Sequence, residues 1–175
     1  MKIERIEEAR LTPTDEAEIA ALLRRCFVTD FGDRSYFVQR HHVRIVARDA
    51  GAIVGQMGLG LRAIRMGERL VDIVGLGDVC TAPERRGEGI ASRLMEAAIA
   101  EARAMPAEFF VLFGDRPLYA GAGFEAHRNV LRFVDMEGAR TNGLEHRRQG
   151  GLMVLPLGDA VWDGAAEVDL LGWLF

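Results

Sequence analysis

The sequence predicts an α+β fold: a mixed, mostly antiparallel sheet flanked by helices, with a parallel strand pair at its centre. Three observations predict it. Short β-prone runs follow one another across tight turns, as in residues 43–48, Ala50-Gly51 and 52–66. Two longer segments carry apolar residues at helical spacing. The second of these lies between the β-prone runs 70–81 and 109–113, the order expected of a right-handed parallel crossover.

At 175 residues the chain predicts one domain over residues 1–175, long enough to bury a single core. Net charge is −4 with no basic run, which argues against a nucleic-acid partner. All but one of the 22 basic residues are arginine, Lys2 being the exception, which reads as genome composition. No run reaches the roughly 18 apolar residues of a membrane span, and no signal-peptide stretch opens the chain, so a cytoplasmic location without membrane contact is expected. Cys26 and Cys80 are isolated thiols that read as core residues in a reducing compartment. They and the scattered His41, His42, His127 and His146 make no metal-ligand spacing, so no metal is expected.

Residues 2–11 alternate loosely as a first strand. Thr12-Pro13-Thr14-Asp15 then supplies a capping hydroxyl, a proline at the first helical position and an acid in the first turn. Ile19, Leu22, Leu23, Cys26 and Phe27 continue that helix over about 14–27. Residues 28–42 hold Phe31, Tyr36 and Phe37 among polar residues, with Gly32-Asp33 as a turn. They read either as a segment shaping a pocket or as a short helix over the sheet edge. Strands 43–48 and 52–66 form a hairpin, and Met66-Gly67-Glu68 turns into strand 70–81. Ile90, Leu94, Ala97, Ala98 and Ile99 share one face of a helix ending near Met105-Pro106. The continuous apolar run 109–113 suits a strand buried on both faces. Gly114-Asp115 leads into a short helix carrying Tyr119, with Asp115 as its N-cap and Gly121 and Gly123 at its end. Residues 124–134 return as a strand, 138–151 read as an exposed polar loop, 152–157 as the last clear strand, and 159–175 as a tail.

The chain is organised around Leu76-Gly-Asp-Val-Cys-Thr-Ala-Pro-Glu-Arg-Arg-Gly-Glu-Gly-Ile-Ala-Ser-Arg-Leu94. A strand here crosses a proline turn into Gly87-x-Gly89 and a long helix. The first helical amides have no partner within a helix, and the helix dipole adds partial positive charge. Glycines there let a ligand approach the backbone, and Arg85 and Arg86 suit a phosphate or pyrophosphate. The same residues also fit a plain strand-to-helix turn with solvated arginines. A P-loop requires a lysine that the stretch lacks. A dinucleotide fingerprint requires a third Gly or Ala where Ser92 stands.

Val79-Cys-Thr-Ala-Pro-Glu-Arg-Arg-Gly-Glu-Gly-Ile-Ala resembles the acyl-CoA motif of the GNAT (Gcn5-related) N-acetyltransferases, usually Gln/Arg-x-x-Gly-x-Gly/Ala, with Glu84 at the Gln/Arg position. Leu118-Tyr119-Ala-Gly-Ala-Gly123-Phe124 is similar to a second motif of that family. The resemblance implies a GNAT-type acyl-CoA N-acyltransferase fold with a splayed central parallel pair, and acetyl-CoA as co-substrate. It implies pantetheine contacts from the backbone of Val79, Cys80 and Thr81. Pyrophosphate contacts would come from the amides of Arg86, Gly87, Glu88, Gly89, Ile90 and Ala91, with a hydroxyl from Ser92. Tyr119 matches the tyrosine that protonates the leaving thiolate; as a plain structural residue it would pack at a helix–strand seam.

For the proton acceptor three readings stand: Asp78 at the strand end, the carboxylate of Phe175, or no base if the amine arrives neutral. Residues 55–67, 71–79 and 152–158 resemble aminoglycoside 2′-N-acetyltransferases and nodulation N-acyltransferases, which points to an amino-sugar or aminoglycoside-like acceptor. The water-bound glutamate of those proteins falls at about Gly77. Two other readings remain. One is a non-catalytic acyl-CoA-binding or regulatory module, against which Tyr119 argues. The other is acetylation of a protein N-terminus or lysine, for which Asp30, Asp33 and Asp78 would be the acids of a groove. The sequence leaves the oligomeric state open, a homodimer being the assembly common among similar proteins.

Overall fold

The computed structural model describes residues 1–29 and 31–175; Asp30 lies outside the described residues. By internal contacts the chain forms two compact units. One comprises Met1–Gly60 and Gly77–Ala100, the other Leu61–Leu76 and Glu101–Phe175. Two strands and a helix run through both.

The first unit begins with β1 (Lys2–Glu7), which pairs antiparallel with β2 (Val43–Asp49). The expected strand over 2–11 is cut short because Glu8–Arg10 turn into a 3₁₀ segment. Helix α1 (Pro13–Cys26) starts at Thr12, whose side chain accepts from the Asp15 amide at 3.1 Å while Asp15 bonds back, a reciprocal capping box. The apolar stripe of α1 buries Ile19, Leu22 and Leu23 with Phe31, Val46, Ile53, Cys80 and Ala82. Residues 31–42 form turns and bends without a helix, Gly32-Asp33 being a turn as expected. β2 pairs antiparallel with β3 (Ala52–Met66), the register shifting between Ala47 and Arg48 of β2. β3 pairs with β4 (Arg69–Thr81), and α2 (Ile90–Ala104) follows.

The second unit places its strands in the order β6 (Glu125–Ala126), β9 (Leu152–Pro156), β5 (Phe109–Phe113), β4, β3, β10 (Val168–Trp173), β7 (Val130–Glu137) and β8 (Arg140–Arg148). β5 (Phe109–Phe113) runs parallel to β4, from Ile73↔Phe109 to Leu76↔Leu112. Its other edge pairs antiparallel with β9 (Leu152–Pro156), which also holds the two-residue β6 (Glu125–Ala126). The short helix α3 (Pro117–Gly121) carries Tyr119, but its N-cap is Arg116 and makes no side-chain capping bond, so Asp115 does not cap it.

Three further expectations fail in this unit. The strand expected over 124–134 breaks after Ala126 and resumes as β7 (Val130–Glu137). At the break, buried Asn129 accepts the Trp162 indole N–H at 3.0 Å and donates to the carbonyls of Asp163 and Ala166 at 2.8 Å each. The loop expected over 138–151 contains β8 (Arg140–Arg148), an edge strand exposed along nearly its whole length. The tail contains β10 (Val168–Trp173), which lies antiparallel to β3 and parallel to β7. The core of the unit gathers Ile73, Phe109, Val111, Leu131, Phe133, Val154, Trp162 and Val168. Trp162 packs edge-on to Phe109 at 5.1 Å between ring centroids.

Candidate active site

The parallel ladder stops at Leu76↔Leu112, yet β4 continues through Gly77, Asp78, Val79, Cys80 and Thr81. A strand that outruns its ladder presents backbone donors and acceptors along that edge, the requirement for an extended ligand to add as a strand. Val79 and Thr81 are half-buried and Cys80 is buried. Ala82 donates its amide to the Val54 carbonyl at 2.9 Å, which fixes the far end of the strand.

Beyond it, Pro83–Arg85 make a 3₁₀ turn, and Gly87 (φ +84°) and Gly89 (φ +74°) take left-handed backbone that residues with a Cβ rarely adopt. Nothing lies within 4 Å of where a Cβ would stand on either glycine, so a ligand has room to approach. The first α-helical turn closes with the Arg93 amide on the Gly89 carbonyl at 3.2 Å. The amides of Ile90, Ala91 and Ser92 therefore lack helical acceptors and sit at the positive end of a four-turn helix. Ile90 is buried as the helix's first anchor, whereas Arg86, Glu88 and Ser92 are exposed. Arg85 does not serve the anion role that its position suggests. It is held by Asp49 at 3.0 Å and Glu88 at 2.8 Å. Glu84, at the family's Gln/Arg position, pairs with Arg25 of α1.

Asp78 stands in a buried polar network. Its φ of +53° breaks the alternation of the strand and re-aims its side chain. Oδ2 lies 2.8 Å from His41 Nε2 and 3.9 Å from Arg44 Nη1, and the Asp78 carbonyl accepts from Gln56 Nε2 at 2.7 Å. Arg44, fully buried, donates to Glu8 at 2.7 Å, Gln56 at 2.8 Å and the Ser35 carbonyl at 2.7 Å. Buried charge is tolerated only when paired and hydrogen-bonded in this way. The His41 ring lies against Gly58, where a Cβ would come within 2.5 Å of three ring atoms. His41, Arg44 and Glu8 belong to no motif, and Gln56 and Gly58 lie in the stretch 55–67, whose resemblance assigned them no role. The available sequence signal was a charge and an amide, Arg44 and Gln56, inside two apolar strands, the mark of a buried pair.

Cys26 is half-buried and packs against the α1 core cluster, as its helical position suggests, and donates to the Thr81 carbonyl at 3.4 Å. A hydrogen bond with the Cys80 thiol, then the Arg86 and Arg25 guanidiniums, lower the Cys26 thiol to about 7; the same contact and burial push buried Cys80 well up. Also in this unit, a cavity of about 330 Å³ is lined by Glu16, Asp33, Tyr36 and Arg40 among others.

In the second unit, Tyr119 is buried against Phe124, and burial pushes its hydroxyl above its ordinary value. That hydroxyl hydrogen-bonds to no described residue. The Phe175 ring seats on Gly75, where a Cβ would lie 2.9 Å from the ring, and packs on Phe113 at 5.5 Å. The Arg62 guanidinium sits 5.1 Å from the Phe175 ring centroid and donates to the Trp173 carbonyl at 2.5 Å. Among the described residues no group of three His, Cys, Asp or Glu side chains is placed to hold a metal ion, and no helix is long and apolar enough to cross a membrane.

Among curated proteins none matches the chain by sequence. Solved structures do. A GNAT family N-acetyltransferase (YhbS) from Escherichia coli in complex with CoA superposes with a TM-score of 0.67 at 22% identity, covering 97% of this chain and 88% of that one. A GNAT family acetyltransferase from Brucella melitensis in complex with acetyl-CoA gives 0.63 at 21%, covering 94% of each. The ribosomal-protein-S18-alanine N-acetyltransferase of E. coli gives 0.56 at 15%, covering 93% of this chain and all of that one. These likenesses show the GNAT acyl-CoA N-acyltransferase fold. The model of the acetyltransferase (GNAT) domain matches residues 8–127, which include both the strand end with its amide nest and Tyr119. The chain belongs to the GNAT acetyltransferase family.

Proposed function

We propose that the protein transfers an acetyl group from acetyl-CoA to a primary amine of a small molecule, with an amino sugar or aminoglycoside-like compound as acceptor. The observation that carries this reading is the end of β4, a strand that outruns its parallel ladder and leads into a glycine turn and helix N-terminus with open amides. The crystallised E. coli and Brucella neighbours hold CoA and acetyl-CoA, which supports the same co-substrate here. In this reading the backbone of Val79, Cys80 and Thr81 pairs with pantetheine. The amides of Arg86, Gly87, Glu88, Gly89, Ile90 and Ala91 take the pyrophosphate, and the Ser92 hydroxyl adds a donor.

Holding both reactants on one protein removes much of the entropic barrier. Tyr119 is the general acid: a buried phenol whose raised pKa keeps it protonated at neutral pH, so it has a proton to give the departing thiolate. The proton acceptor is read at the Asp78 end of β4, with the Phe175 carboxylate as the competing site. The acceptor is read as a small amine because the segment before β2 and α1 line a cavity of only about 330 Å³. The enzyme is further read as one domain over residues 1–175, cytoplasmic and homodimeric, without nucleic-acid, membrane or metal partners.

The test is thiol release from acetyl-CoA with glucosamine, kanamycin, spermidine and an alanyl peptide as acceptors. Turnover with the sugars that Tyr119→Phe lowers about 10²–10⁴-fold, with acetyl-CoA binding retained, is the expected result. Turnover with the peptide alone would replace the acceptor class. Acetyl-CoA binding without turnover would favour a binding module, and no binding would overturn the reading. Extending the chain by several residues beyond Phe175 leaves turnover intact if the Asp78 end supplies the acceptor and abolishes it if the Phe175 carboxylate does.

A further inference from the structure

We propose that His41 is the proton acceptor of this reaction and that Asp78 is its positioning residue, an assignment that rests on the acetyl-transfer reading above. His41 comes from the segment before β2 and meets Asp78 at the end of β4, 37 residues away, with Nε2 and Oδ2 2.8 Å apart. A carboxylate only accepts, so this contact puts the ring proton on Nε2 and leaves the lone pair on Nδ1. Nδ1 has no hydrogen-bond partner among the described residues. The ring is mostly buried, its side chain 14% exposed, and Gly58 provides the flat seat that keeps it there.

Everything behind Asp78 serves to hold it. Gln56 fixes its carbonyl, the left-handed backbone turns its side chain, and Arg44 supplies positive charge 3.9 Å away while Glu8 takes the guanidinium's main contacts. The charged groups facing the ring are thus Asp78 from β4 and, behind it, Arg44 from β2 and Glu8. Asp78 Oδ2 accepts the Nε2 proton, and Nδ1 keeps the ring's lone pair for a second one. This is the logic of a carboxylate orienting an imidazole that does the proton transfer.

The steps balance as follows. Nδ1 takes one proton from the acceptor ammonium and becomes imidazolium. The freed amine pair attacks the thioester carbonyl carbon, a C–N bond forms, and the C–S bond breaks as the adduct collapses. The thiolate takes the Tyr119 proton, the surplus proton on the new amide nitrogen restores Tyr119 through solvent, and His41 returns its proton to solvent.

The experiment compares full-length wild type, His41→Gln, Asp78→Ala, the double variant and Gly58→Ala, with the best acceptor of the four named above. Calorimetry with acetyl-CoA runs in parallel. His41→Gln is expected to keep acetyl-CoA affinity and lose about 10²–10⁴-fold in kcat at pH 7. The deficit shrinks as pH rises toward the amine's own pKa, because a neutral amine needs no base; a merely structural defect would not recover. The double variant should be no slower than His41→Gln alone, since the two act as a unit. Gly58→Ala, whose Cβ would push the ring off its seat, should reproduce the loss with both dyad members present. Nitrogen-15 spectra of the wild-type imidazole should show the proton on Nε2 whether or not an acceptor is found. Wild-type kcat in His41→Gln, losses that multiply in the double variant, or a proton on Nδ1 would each overturn the assignment. Loss of acetyl-CoA binding by the wild type would instead overturn the reading it rests on.

Discussion

The two units of the chain solve the problem of an interior differently. The first buries a guanidinium, Arg44, and surrounds it with Glu8, Gln56, Asp78 and the Ser35 carbonyl. The second buries rings and aliphatic chains, with Phe109, Phe133 and Trp162 at its centre and Asn129 as a polar tie. An apolar interior stabilises by removing area from water and tolerates imperfect geometry. A polar interior stabilises only if each donor and acceptor is met, and in return it holds side chains at defined angles. The difference teaches where positional accuracy is kept in this molecule: in the unit that carries the strand end, the amide nest and the His41–Asp78 pair.

The sharpest way to break the comparison is Arg44→Met. Removing the buried member of the charge network leaves Glu8 with only its 3.3 Å contact to Arg40, and a loss of about 3–5 kcal/mol in urea unfolding is expected. A loss under about 1 kcal/mol would mean that the network is not what organises the first unit. In the second unit, Asn129→Ala leaves the Trp162 N–H and two loop carbonyls without their partner and should cost about 1–3 kcal/mol. Acetyl-CoA affinity, measured by calorimetry, should not change with it; a weakened affinity would contradict an Asn129 role confined to the second unit's core.

A smaller effect tests the start of the first helix. Thr12→Ala should cost about 1 kcal/mol, read from the same unfolding curves. Asp15 is held below its ordinary carboxylate value of 3.8, first by the Thr12 hydroxyl and then by Arg48. Because the folded value is the lower one, the stability Asp15 contributes is complete above 3.8 and lost as pH falls through and below it. An acid titration of stability should therefore fall less steeply below 3.8 in Asp15→Asn than in wild type. The smallest expected effect is chemical. Cys26 should be alkylated by iodoacetamide with a rate that rises to half its maximum near pH 7, well before Cys80 reacts. Equal rates at the two thiols would remove the asymmetry that the Cys26–Cys80 contact produces.

The order of strands and helices was legible as far as α3 because its signals are local. The Thr12–Asp15 cap, the Ala50-Gly51 turn, the apolar face of α2 and the run at β5 each lie within a few residues. Legibility fell where the deciding partner is distant. β8 is polar on both faces because it is an exposed edge, so it carries no alternation to read. β10 owes its place to β3 and β7, and it is interrupted by a register shift after Asp169, with Leu171 at φ +51°. Asn129 lies inside the strand expected over 124–134, and the break there is explained only by Trp162, 33 positions later, whose indole N–H it accepts.

The same division holds for the candidate site. Gly87, Gly89 and the start of α2 could be read from the chain because an amide nest is built from consecutive residues, and Tyr119 because it stands in a recognisable motif. By itself the sequence determined the family, the strand-turn-helix that presents open amides, and the capped and alternating segments around them. Only the tertiary structure decided that Arg85 is spent on Asp49 and Glu88, that Asp78 is turned by a left-handed backbone, and that His41 comes to rest on Gly58. The physical reason is range. Caps, turns and helical faces are set by neighbours in sequence, whereas the partner of a buried charge or ring is chosen by packing between strands tens of residues apart.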